Sequence, residues 1–301
     1  MKNNVIQGIK FALLAALISG LANFLNKEII IAGINPVALT ALKNGFVGLV
    51  FAAITLPLLK SQKLQKQDWL KFITIAIIGG SIPFILFFKG LAISTAIKGS
   101  FIHKTLFIWV ALWSFIFLRE KFSKYQFSAL IILATAILPA IQFKFFSWGR
   151  GETMILIATL FWSIEIMLVK KFLKNIDFRL LAAARMTLGA LIIFAYGIYT
   201  NELAQIYGLT AISWLKILIV SAFLFGYVFA WYRALSLAPA TLVTSILTLA
   251  FPITIISVSL KSFSFPALPD ISSIMMIFAG TTLFLISFFE KWQRKPKILT
   301  E

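Results

Sequence analysis

INPVALTALK at positions 34–43 and IDFRLLAAAR at positions 176–185 decide the architecture of this chain. Each opens a long apolar run. Each sets a basic residue, Lys43 or Arg185, nine places after an isoleucine, Ile34 or Ile176. A second pair lies further on: Phe88-Lys89-Gly90-Leu91 closes one run, and Tyr232-Arg233-Ala234-Leu235 closes its counterpart. Two pairs in the same order mark an internal duplication. We expect two units, 1–145 and 146–301, within one membrane domain.

Around these anchors, apolar segments run over about 9–31, 36–59, 69–90, 95–118, 125–143, 152–171, 178–199, 213–233, 237–260 and 271–289. A bilayer-spanning helix needs about 20 mostly apolar residues. Lipid leaves open strands unsatisfied, and a barrel would show short alternating strands. The runs 130–138 and 188–199 do not alternate. The fold class is therefore all-α integral membrane, with ten transmembrane helices. Five helices per copy is an odd number, so the second copy is inverted relative to the first, an architecture common in transporters.

Composition agrees. The chain has 301 residues, 60% hydrophobic and only 13% charged, too little polar surface for a soluble domain of this size. The net charge of +18 would suggest nucleic acid on a soluble protein. Here the bases cluster between apolar segments, as topology signals and contacts for anionic lipid. Lys60, Lys63, Lys66 and Lys71 follow segment 2. Arg119, Lys121 and Lys124 follow segment 4, and Lys170, Lys171, Lys174 and Arg179 surround the end of segment 6. Lys291, Arg294, Lys295 and Lys297 form the tail, whereas the connection 201–214 has no Lys or Arg. With ten crossings all the basic groups share one side, which places both termini in the cytoplasm. Lys2 and Lys10 before the first apolar run mimic a signal peptide. The counterpart of that run at mid-chain makes it a retained span. Short loops point to a prokaryotic plasma membrane.

There is no Cys and one His, which excludes disulfides and Cys-ligated metal. No metal site and no cofactor are expected. Nor does a phosphate-binding GxxxxGK[ST] loop occur, so ATP hydrolysis is not expected of this chain.

The chain resembles the EamA-type branch of the drug/metabolite transporter superfamily over almost its whole length. The resemblance rests on Ser19-Gly20 with Lys27, Pro36 with Lys43, Phe161-Trp162-Ser163 with Lys170, and Arg185. It also rests on Tyr232-Arg233-Ala234-Leu235 with Pro239-Ala240, on Phe251-Pro252, and on Leu118-Arg119-Glu120-Lys121. Three features depart from the family pattern. Ile108 stands where the first copy would carry the mate of Pro252, the loop after segment 9 reads Lys261-Ser-Phe-Ser, and Lys98, His103 and Lys104 make segment 4 basic. The resemblance implies movement of metabolites or amino acids, often export, with segment 4 facing a central cavity.

Ionisable groups at membrane depth are costly, so each is a functional candidate. Glu165 is the one carboxylate deep in a span. It reads as a partner for a substrate ammonium or a proton carrier, or else as a structural ion pair with a basic residue. Lys104 reads as part of an electropositive cavity for carboxylate or phosphate, and Lys98 as a snorkelling side chain. His103 projects about 100° from Lys104, so both cannot point straight into one cavity. It reads as a packing residue or a proton carrier. Lys43 and Arg185, as repeat mates, read as structural or gating residues. Asn23, Trp109, Trp162, Tyr227 and Trp231, with Asn44 and Trp113, are candidates to line a cavity; packing is the competing role for the tryptophans. Pro83, Pro139 and Pro252 are candidate kinks.

The expected function is a secondary transporter moving small metabolites, amino acids or related organic solutes of anionic or zwitterionic character, with outward movement implied by the resemblance. The alternative is a non-transporting membrane scaffold. No enzyme is expected, because one carboxylate and one His are poor material for an intramembrane active site. Expected partners are a small-molecule substrate, membrane lipids and, as an option, a second copy in a homodimer. Nucleic acid is not expected.

Overall fold

A computed structural model describes residues 2–62, 64–117, 119, 121–136 and 148–293. Lys63, Leu118, Glu120, Pro139, Arg294, Lys295 and Lys297 of the readings above lie outside them. Among the described residues thirteen α-helices follow one another: α1 (Lys2–Ile31), α2 (Pro36–Ser61), α3 (Lys66–Ile75), α4 (Ile82–Ala92), α5 (Ala96–Lys104), α6 (Leu106–Phe117), α7 (Lys124–Ala136), α8 (Arg150–Phe172), α9 (Phe178–Tyr199), α10 (Ala211–Leu237), α11 (Ala240–Leu247), α12 (Ala250–Lys261) and α13 (Leu268–Gln293). Among the described residues there is no strand, and nine helical stretches are long and apolar enough to cross a membrane. The expected fifth crossing is described only as α7. The remainder of that expected segment, 137–143, lies outside the described residues.

The two quoted stretches fold alike because each begins with a capping side chain. Asn35 Oδ1 accepts from the N–H groups of Val37 and Ala38 at 2.8 and 3.2 Å. Asp177 Oδ1 accepts from Arg179 N–H at 2.8 Å. Each satisfies donors that a helix start leaves unpaired, so α2 and α9 begin at equivalent points of the two copies.

Among the described residues three spans are interrupted. In the third, a π-helical turn (Ala76–Ser81) separates α3 from α4. Pro83 lacks the N–H that would reach the Gly79 carbonyl four residues back. The fourth span breaks at Thr105 between α5 and α6, and the ninth at Thr248 and Leu249 between α11 and α12. Pro252 explains the second of these. The first occurs with Ile108 in the proline's place, so the break does not depend on that residue.

Packing follows the duplication. α2 packs on α9, α7 on α13, and α1 on α10 as α4 does on α8. The broken spans cross head to tail: α5 meets α12 and α6 meets α11. The first half of each therefore lies against the second half of the other, as an inverted pair requires. Small residues permit the closest approach. A Cβ added to Gly80 would stand 2.1 Å from the Arg185 carbonyl oxygen, and one added to Gly189 would stand 2.6 Å from the Gly80 oxygen.

Candidate functional site

Between the copies lies a cavity of about 60 Å³. That volume admits a few water-sized groups rather than a whole metabolite, so binding a solute requires the helices to part. α1 supplies Ser19, Ala22, Asn23 and Asn26, and α8 supplies Trp162, Glu165 and Ile166. Lys43 enters from α2 and Arg185 from α9, each about two turns inside its helix and from opposite ends of the bundle. Phe84, Phe87 and Phe88 of α4, His103 of α5, and Tyr227 and Trp231 of α10 complete the polar and aromatic wall.

At the Arg185 end the charge is compensated. Arg185 Nε stands 3.5 Å from Glu165 Oε1, and both side chains are buried. Tyr232 donates its hydroxyl to the same carboxylate oxygen. The Gly79 carbonyl, freed by Pro83, accepts from Arg185 Nε at 3.1 Å and Trp162 Nε1 at 3.0 Å. The guanidinium also lies against Phe84 and Tyr232, 5.3 and 5.8 Å from their ring centres. One of its nitrogens, Nη1, is buried with no hydrogen-bond partner.

The Lys43 end differs. Its Nζ donates to Asn26 Oδ1 at 2.9 Å and sits 3.9 Å from the centre of the Phe88 ring. Among the described residues no carboxylate pairs with it. Phe84 and Phe88 stack between the two cations, 6.4 Å apart and 12° from parallel.

The other sequence candidates divide. His103 lines the cavity, with its ring 4.9 Å from Trp162 and 5.4 Å from Phe87. Lys104 is buried beside it but outside the lining; its Nζ donates to Ser19 Oγ at 2.9 Å and lies 3.5 Å from His103 Nδ1. Its charge therefore stands one side chain behind the wall. Asn23 lines the cavity and donates to Ser100 Oγ at 3.3 Å. Tyr227 and Trp231 do so as a stacked pair, 6.0 Å apart. Trp109 does not reach the cavity, since its indole donates to Thr105 in its own span. Trp113 donates to Ser163 at 2.9 Å, and Asn44 is buried away from the lining with neither amide atom partnered. Lys98 lies 3.6 Å from Glu152 rather than reaching outward alone. Lys43 and Arg185, read from sequence as structural or gating, face the cavity.

Ser19, Asn26 and Phe88 were not named as cavity residues from sequence, nor was Tyr232 as a partner of Glu165. Tyr232 and Phe88 carried a signal, because they are the two members of the second repeated pair. Asn26 had none.

Both ends of the bundle carry matching ties. Lys27 Nζ donates to the carbonyls of Leu91 and Ala92 at 2.8 and 3.0 Å. Lys170 Nζ donates to those of Leu235 and Ala238 at 2.7 and 2.9 Å. Each lysine caps the far end of the third helix of its own copy, satisfying carbonyls that a helix terminus leaves free. Lys89 adds an ion pair with Glu202 at 2.7 Å, and Lys261 pairs with Glu28.

A solved structure entitled "Crystal structure of protein" is 14% identical, covers 97% of this chain and 99% of its own, and superposes with a TM-score of 0.73. At that identity it shares the fold. No curated protein sequence matches the chain. Residues 6–141 and 149–286 each match the EamA-like transporter family. Two matches spanning nearly all of the chain are what a duplicated five-helix unit would give, and the chain belongs to the EamA-like transporter family.

Proposed function

We propose that this membrane transporter moves small anionic or zwitterionic metabolites, amino acids or related organic solutes, by alternating access. The units 1–145 and 146–301 would rock about the cavity between them. The observation that carries this reading is the charge at the cavity. Lys43 and Arg185 line it and Lys104 stands just behind, against the single carboxylate of Glu165. Three buried bases and one buried acid leave an excess that a negatively charged group would neutralise. The aromatic wall suits the apolar part of an organic solute. The matching lysine ties at opposite ends suit two bodies that move as units. The proposal includes export from the cell, a plasma-membrane location and cytoplasmic termini; the family resemblance supports the first, and the short loops and their basic residues support the others.

The test is counterflow into proteoliposomes of a panel of amino acids and small carboxylated or phosphorylated metabolites, with and without a pH gradient. Saturable exchange of an anionic or zwitterionic class is expected. Lys104→Ala should weaken anionic substrates more than neutral ones. Exchange of cations alone, or of neutral solutes with no anion or zwitterion, would refute the reading.

A further inference from the structure

The first helices of the two copies place three matching positions at the cavity. Lys27 and Lys170 do the same job, each bonding the carbonyl of the matching leucine, Leu91 or Leu235. Counting back along the unbroken helices from these lysines brings α1 and α8 into register. Ala22 lies five residues before Lys27, and Glu165 five residues before Lys170. Ser19, Ala22 and Asn23 on one side and Trp162, Glu165 and Ile166 on the other occupy identical steps, and all six line the cavity.

In this register the second copy holds a complete set: the cation Arg185, the carboxylate Glu165, and the hydroxyl of Tyr232 that donates to it. The first copy holds the cation Lys43, but Ala22 stands where the carboxylate would be and Phe88 where the tyrosine would be. Lys43 has three donors, and one acceptor, Asn26, is bonded to it. A buried ammonium without a counter-ion is costly. Ala22, which carries no carboxylate, lines the same cavity as Lys43.

We propose that the substrate's anionic group, a carboxylate, docks on Lys43 against Ala22 and takes the place of the acid that the first copy lacks. Asn23 and Asn26, one and four residues after Ala22 on α1, line the cavity beside this position. Arg185 is the poorer dock, because an anion approaching it meets Glu165. Lys104 is screened by Ser19. The inference rests on the anionic reading of the cavity given above and assigns the anion to one of its three bases.

The experiment uses the full chain in lipid nanodiscs. Butyrate, butyramide, butylammonium and inorganic phosphate are titrated separately, and binding is read by tryptophan emission and by thermal stability. Butyrate should bind saturably and butyramide should not. Lys43→Gln, which retains a donor for Asn26, should weaken butyrate by at least about tenfold, the scale of losing one partner of a buried charge pair. Ala22→Glu rebuilds the arrangement of the second copy and should do the same, whereas the neutral Ala22→Gln should weaken butyrate less. If Ala22→Glu does not fold, Lys43→Gln decides alone. Undiminished butyrate binding in Lys43→Gln overturns the site while leaving the anionic reading in place. Wild-type protein that responds to butylammonium, and to neither butyrate nor phosphate, overturns both.

Discussion

The buried pair of Glu165 and Arg185 shows how far single residues can be read. Sequence marked both as costly at membrane depth, and left Glu165 open between a transport role and an ion pair. The structure makes it an ion pair that lines the cavity, so the two readings are not exclusive. Removing one partner of such a pair strands the other. Glu165→Gln should yield folded protein destabilised by about 3 kcal/mol, with transport lost or uncoupled from the pH gradient. Glu165→Gln combined with Arg185→Gln should cost less than the sum of the single changes, since coupled neighbours are not additive. Thermal unfolding of the four proteins checks this, and strict additivity would show that the pair is not coupled. What sequence could not show is the third party, the Gly79 carbonyl, because nothing in a Gly-Gly pair says that its oxygen will accept from a Trp and an Arg.

For elements, legibility depended on periodicity and punctuation. Span positions were readable because lipid demands continuous helix and basic clusters mark the ends. Interruptions were only partly readable. Pro83 and Pro252 announced local irregularity, but the π-helical turn before Pro83 has no sequence period of its own, and the break at Thr105 occurs without a proline. That break is explained by the packing of α5 and α6 against the two halves of the opposite span, which is tertiary information. The π-helical turn also brings Gly80 against α9. Gly80→Ala should therefore destabilise the protein by about 3 kcal/mol, the upper end for overpacking, because the atom it meets is a backbone oxygen that cannot swing aside. A melting temperature equal to wild type would show that the π-helical turn and α9 separate freely.

On the scale of the whole molecule, the duplication was legible from two short pairs of motifs, and the family followed. The cavity was not, because it depends on which faces of α1, α2, α8 and α9 converge, and apolar helices in lipid carry little amphipathic signal to fix their rotation. Orientation can be tested directly, since the chain has no Cys to interfere. Tyr207→Cys and Lys174→Cys both alter exposed positions. In intact cells a membrane-impermeant maleimide should label the first, and should label the second only after permeabilisation. The reverse pattern would place the termini outside. The mismatch between Ala22 and Glu165 has a consequence at this scale. Two identical inverted halves would make the inward-open and outward-open forms interchangeable by a two-fold rotation and equal in free energy, with no intrinsic preference for either side. Under the alternating access proposed above, an acid kept in one half and absent from the other would lift that degeneracy, and the empty carrier would have a resting side before any gradient acts on it.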